Sequence, residues 1–293
     1  MSNPRNEGSF SPFSLSQNVL DDPQAADAYA RLLQEVFDFV PRRAPVPDPH
    51  WHVLALFEPQ GACVAGIEIA KLGLVLDGEE RVAMAMRLAG VAPSHRGRGL
   101  FRTLMDHALA ACAQRAAAAP ILLYTEDEAL YTRFGFAPLV QHAFVGLALS
   151  PTPSAAARPV SRAEAIELID RHAPSRAPVS LQCAVRGGTD LLRANVEESD
   201  PRLAFLDAVD ALVIYEREEA EIVIVDIVAA VIPTMATIIG ALAPDARRVR
   251  TLFPPDRLAW DATPVPDDTG LMIRGEVPPA MRRPFMLPPT TGF

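Results

Sequence analysis

Residues 91–101 read VAPSHRGRGLF, and the chain continues RTLMDHALAACAQRAAAA over 102–119. The run leaves a strand, crosses a turn of arginine and glycine, and enters a long helix with Leu100, Leu104, Ala108 and Ala111 along one side. Gly97 and Gly99 let the backbone come close to a ligand. The free N–H groups at the head of the helix favour an anion. Arg96, Arg98 and Arg102 add charge-assisted donors, and the sum is a compact diphosphate site. It is not a P-loop, because GxxxxGK[ST] is absent. Nor is it a dinucleotide fingerprint, because GxG is not completed to GxGxxG.

Working outward, WHVLALFE (51–58), CVAGIEIAKLGLVL (63–76) and RVAMAMRLAGV (81–91) read as strands of an antiparallel meander. The third has strand character but weak alternation. Asp77-Gly78 is a hairpin turn signal. Before them, DPQAADAYARLLQEVFDFV repeats apolar residues at helical spacing from Asp22 onward, and PRRAPVPDP is a proline-rich break. Residues 1–20 read as a loose arm. After the long helix come a short strand PILLYT, a short acidic-capped helix EDEALYTRF stopped by Gly135, and strands in FAPLVQHAFVGLAL. This is a mixed α/β order with a parallel crossover near its middle. PTPSAAARPV (151–160) is the expected linker, giving domains 1–150 and 151–293. The second half repeats strand, strand, helix in ALVIYERE, AEIVIVDIVAAV and PTMATIIGALAP, with no counterpart of the arginine–glycine turn.

Composition narrows the function. The net charge of -9 argues against a nucleic-acid surface. Cys63, Cys112 and Cys183 form no CxxC pair, so no metal site is expected and buried thiols are. The apolar run 222–242 is broken by Asp226 and Pro233, which a buried strand followed by a helix explains without a membrane. The N-terminus lacks the charged and apolar stretches of a signal peptide, so a cytoplasmic protein is expected.

HRGRGLFRTLM resembles the motif with which GCN5-related N-acetyltransferases bind the pyrophosphate of acetyl-CoA. Arg96, Gly97, Arg98, Gly99 and Leu100 fit its Arg-x-x-Gly core, while its final small residue is Phe101 here. TEDEALYTRFGFAPL (125–139) resembles the family's last motif, a tyrosine one helical turn before a Gly-Phe strand. Tyr131 follows Gly99 by 32 residues, which suits a helix, a strand and a short helix. Tyr131-Thr132-Arg133-Phe134-Gly135-Phe136 is similar to the Eis-like (enhanced intracellular survival) branch, whose members have two tandem acetyltransferase-like domains with the cofactor in the first. The 293 residues leave little room for that branch's third, sterol-carrier-like domain.

The resemblance implies an acyl-CoA N-acyltransferase fold with a degenerate second domain, acetyl-CoA as cofactor, and a small-molecule or peptide amine as acceptor. Self-association is possible; no nucleic acid or membrane partner is expected. It makes Tyr131 the general acid toward the coenzyme A sulfur. Backbone N–H groups near Ala89 and Val91 hold the pantetheine arm and polarise the thioester. Transfer is direct, in a ternary complex. The base stays open among Glu68, Glu126, Asp127, His95, His142 and, by analogy with Eis, the Phe293 carboxylate. The alternative is an acyl-CoA-binding regulatory module without turnover.

Overall fold

Asp22 and Pro23 start the first helix in a way their chemistry dictates. The Asp22 carboxylate accepts from Gln24 N–H at 2.9 Å, and Pro23, which has no N–H to lose, takes the first helical position. The computed structural model describes residues 13–17, 19–37, 51–150, 156–199 and 201–293. The arm before residue 13, the break at 41–49 and residues 151–155 of the linker lie outside the described residues.

The chain divides into two compact units. One comprises Met1–Lys71 with Met86–Ala117, the other Leu72–Ala85 with Ala118–Phe293. The first unit holds β1 (Ser14–Ser16), α1 (Pro23–Phe37), β2 (Trp51–Phe57), parts of β3 (Cys63–Leu76) and β4 (Glu79–Val91), and α2 (Leu100–Arg115). β1 pairs with β2 and β2 with β3, all antiparallel. α1 buries Ala28, Tyr29, Leu32 and Leu33, one stripe of its surface, with Val53, Ala55, Phe57 and Ala92 in a single cluster. The meander expected from 51–91 is therefore present, and 63–76 is one long strand. Asp77 (φ 53°) and Gly78 (φ 80°) make the two-residue turn with both φ positive that Asp-Gly signals.

The second unit contains β5 (Ile121–Tyr124), α3 (Glu128–Thr132), β6 (Ala137–Pro138), β7 (Gln141–Leu147) and β8 (Arg158–Pro159). It continues with α4 (Arg162–His172), β9 (Cys183–Arg186), α5 (Thr189–Glu198), β10 (Arg202–Leu206), β11 (Ala211–Glu218) and β12 (Glu221–Val228). Last come α6 (Met235–Leu242), β13 (Arg248–Thr251), β14 (Thr263–Asp267) and β15 (Leu271–Arg274). One seven-stranded sheet runs β14-β7-β13-β12-β11-β10-β8. Residues 211–214 of β11 and 222–228 of β12 are buried on both faces. Val213, Ile222 and Ile224 meet Met235, Ile238 and Ile239 of α6, while Leu212, Ile214, Val223 and Val225 share a cluster with Leu168 and Ile169 of α4 and Leu192 and Val196 of α5. Burial on both faces is why 222–228 is apolar at every position except Asp226. β12 and β13 are parallel, with α6 between them in sequence.

The order β10-β11-β12-α6-β13 repeats β2-β3-β4-α2-β5, so the mixed α/β chain is a tandem. Its halves exchange their last strands. β7, from the first half, lies between β13 and β14, antiparallel to both. β15, from the second half, lies between β5 and β6, again antiparallel to both. β9 pairs with the Gly73–Leu76 end of β3, and Met84 N–H donates to the Pro120 carbonyl at 2.8 Å.

Candidate active site

The residues expected to grip a diphosphate form one continuous piece of the first unit. Near the end of β4, Leu88 has φ 50°, left-handed backbone that a leucine adopts only under constraint. That conformation costs an L residue roughly 1–2 kcal/mol. Ala89, Gly90 and Val91 follow, and a short 3-10 turn, Pro93–His95, leads into the loop. Gly97 (φ 77°) and Gly99 (φ 79°) are both left-handed, and a Cβ at either would meet nothing within 4 Å. The backbone sign, not lack of room, is what calls for glycine. Gly99 is the N-cap of α2, and no side chain caps that helix end. Leu100 is buried as the first residue of the helix, while Arg96, Arg98 and Arg102 are exposed. Arg96 Nε donates to the Val91 carbonyl at 3.3 Å and Arg98 Nη2 to the Ser94 carbonyl at 3.4 Å, which keeps both guanidinium groups over their own loop. The corresponding end of α6 is built differently. Thr234 fills it, its hydroxyl accepting from Thr237 N–H at 3.3 Å, and the connection Ala229–Thr234 contains neither arginine nor glycine.

Tyr131 belongs to the second unit. It sits on α3, a short helix capped by Asp127, whose carboxylate accepts from Ala129 N–H at 3.1 Å. The Tyr131 ring is buried edge-on against Phe136, with centroids 6.0 Å apart. Burial, reinforced by the nearby Asp127 carboxylate, pushes its phenol up to about 12. The group therefore holds its proton throughout the neutral range, as a proton donor must.

Residues 22–139 match the family model described as an acetyltransferase (GNAT) domain. This segment is a GNAT domain. No curated protein sequence matches the chain. Among solved structures, it is similar to a GCN5-related N-acetyltransferase from Kribbella flavida, at 19% identity over 92% of this chain and 72% of that one, with a TM-score of 0.56. It is also similar to Eis1 from Mycobacterium abscessus, at 15% identity over 90% and 74% of the two chains, TM-score 0.56. A probable N-acyltransferase from Enterococcus faecalis V583 shares 13% identity over 90% and 72%, TM-score 0.58. At these identities the likeness is one of fold, and it extends over both halves of the tandem.

Within the GNAT domain the candidate bases are mostly engaged. Glu68 on β3 is buried; its Oε2 accepts from Arg87 Nε at 2.6 Å and its Oε1 from the Tyr29 hydroxyl at 3.2 Å. His95 is bonded at both ring nitrogens, Nε2 with Glu58 Oε1 at 3.0 Å and Nδ1 with the Ser94 hydroxyl at 2.9 Å. Asp127 caps its helix, and Glu126 is exposed beside it. His142, on β7 beyond the GNAT segment, has a buried Nδ1 with no hydrogen-bond partner among the described residues. The Phe293 ring lies 5.2 Å from that of Tyr124, the last residue of β5. Asn195 Nδ2 holds the tail there through the carbonyls of Thr290 and Gly292, both at 3.0 Å. Thr290 in turn donates to Asp226 Oδ2 at 2.5 Å, which also takes Arg176 Nη2 at 2.8 Å.

Sequence reading missed two features. One is the Tyr29–Glu68–Arg87 cluster, whose Arg87 Cζ lies 3.7 Å from the centre of the Trp51 ring. The other is the left-handed Leu88, which no local pattern in 81–91 marks. Among the described residues, no group of three His, Cys, Asp or Glu could hold a metal ion, and no helix is long and apolar enough to cross a membrane.

Proposed function

We propose that the chain moves an acetyl group from acetyl-CoA to the amine of a small molecule or peptide by direct transfer. The observation that carries this reading is the head of α2 in a GNAT domain, where two left-handed glycines, an end without a side-chain cap, and Arg96, Arg98 and Arg102 together suit a pyrophosphate. Backbone N–H groups of Ala89 and Val91, just past Leu88, hold the pantetheine arm and take up charge on the thioester oxygen. The amine nitrogen bonds to the carbonyl carbon, the C–S bond breaks, and Tyr131 gives its proton to the departing sulfur. The amine's proton leaves to solvent, from which Tyr131 regains its own, so an amine already neutral in the site needs no strong base.

Residues 1–150 then act as the acetyl-CoA-binding domain and 151–293 as the second, without a cofactor site. The Thr234 cap on α6 supports that division, since it fills the place where an anion would sit. One observation favours a second reading, an acyl-CoA-binding module without turnover: Glu68 and Asp127 already serve protein donors. Calorimetry with acetyl-CoA followed by thiol release over a panel of amines separates the two. Tight binding with release for at least one amine supports transfer. Tight binding with none favours the module, and no affinity for any coenzyme A species removes both.

A further inference from the structure

We propose that Glu68 is a positioning residue: by fixing Arg87 it holds Leu88 in its left-handed conformation, and so keeps the backbone donors of Ala89 and Val91 aimed at an acyl-CoA thioester. The proposal rests on the acyl-CoA reading above and deepens it.

Leu88 is a bulky side chain at φ 50°, so its conformation must be imposed by its surroundings. Both flanks supply the constraint. On one side Arg87 is fixed twice, by the Glu68 carboxylate at 2.6 Å and by the Trp51 ring, 3.7 Å from its Cζ. Glu68 is in turn fixed by the Tyr29 hydroxyl at 3.2 Å, and Tyr29 is fully buried on α1. On the other side Gly90 lies so close under the end of α1 that a Cβ there would come within 2.8 Å of Val36 Cγ1 and 3.2 Å of the Phe37 ring. Leu88 itself packs against the α1 cluster. Three elements, α1, β2 and β3, thus pin the residues on both sides of one irregular position in β4. Irregular strand positions of this kind re-aim the groups that follow them. The role also accounts for both oxygens of Glu68, each facing a protein donor instead of an incoming amine.

Glycine adopts positive φ without help, which makes Leu88→Gly the decisive partner for Glu68→Gln. Acetyl-CoA affinity by calorimetry, kcat and KM by thiol release, and Tm are measured for the two single variants and the double. Glu68→Gln is expected to weaken acetyl-CoA binding and to lower kcat together, each by about tenfold, because the same N–H groups hold the arm and take up charge on the thioester oxygen. Adding Leu88→Gly is expected to return affinity to within about threefold of Leu88→Gly alone, a coupling that a double-mutant cycle isolates. Arg87→Lys, which keeps the charge but not the fork, serves if Glu68→Gln does not fold, and is expected to weaken binding and be rescued in the same way. A Glu68→Gln protein with unchanged affinity and a collapsed kcat that Leu88→Gly does not restore would mean that Glu68 is the base, and would overturn the proposal. So would a double variant that binds as weakly as Glu68→Gln. If the unmodified chain binds no coenzyme A species, the acyl-CoA reading fails by itself. The hold on Leu88 is then read from Tm: strictly additive losses in the two single variants would overturn it, and a double variant more stable than their sum would support it.

Discussion

In the proposed transfer Tyr131 is the proton donor, and its burial sets two outcomes. Tyr131→Phe removes the proton donor but keeps the ring against Phe136, so kcat is expected to fall by about 10²-fold with KM for acetyl-CoA little changed. Steady-state kinetics over a pH series checks this. Because the phenol is pushed up to about 12, the unmodified protein should show no loss of kcat from this residue up to about pH 10. Stability follows the same group. The unfolded chain gives up this proton near pH 10 and the folded chain only near 12, so the folded state binds more protons in between. Its contribution is full below pH 10 and lost as pH rises through 12. Cys63, pushed by burial from 9.0 to about 12, adds a loss that begins near pH 9. Urea titrations at pH 8 and 10.5 should therefore give a lower midpoint at the higher pH, with the difference reduced in Tyr131→Phe.

At the scale of elements, two helices in equivalent positions end differently, and that contrast can be measured. Gly99→Ala places a Cβ where φ is 79° and is expected to destabilise the chain by about 1 kcal/mol and to weaken acetyl-CoA binding, since it strains the turn that presents α2. Thr234→Ala removes the α6 cap at a similar loss of about 1 kcal/mol, yet should leave acetyl-CoA affinity unchanged. Equal effects on affinity would contradict the division of labour between the two helices. These elements also mark what the sequence could and could not reveal. Periodicity found α1, and the arginine–glycine run found α2 and its loop, because each depends on neighbours in the chain. β14 escaped because Pro264 and Pro266 are poor strand residues, tolerable only at the sheet edge where the fold puts them. The tight set of Tyr29, Trp51, Glu68 and Arg87 escaped because it is assembled from α1, β2, β3 and β4 by tertiary pairing, which no local pattern encodes.

At the scale of the whole molecule, the exchanged strands set a limit on how the chain can be cut. A split at residue 150 follows the sequence linker, but it separates β15 from β5 and β6, and β7 from β13 and β14. The register is specific: Leu271 pairs with Tyr124 and Arg274 with Ile121, while Arg248 pairs with Leu147 and Thr251 with Phe144. Without β15, the buried strand β5 would expose a row of unpaired backbone groups and apolar side chains, which favours aggregation over folding. Residues 1–150 alone are therefore expected to show no cooperative melt by circular dichroism and to bind acetyl-CoA poorly. Co-expression with residues 151–293 should restore both, because each fragment carries the strand the other lacks. A 1–150 fragment that melts cooperatively and binds acetyl-CoA as the full chain does would show that the exchange is dispensable, and that the first half completes its own sheet with β7.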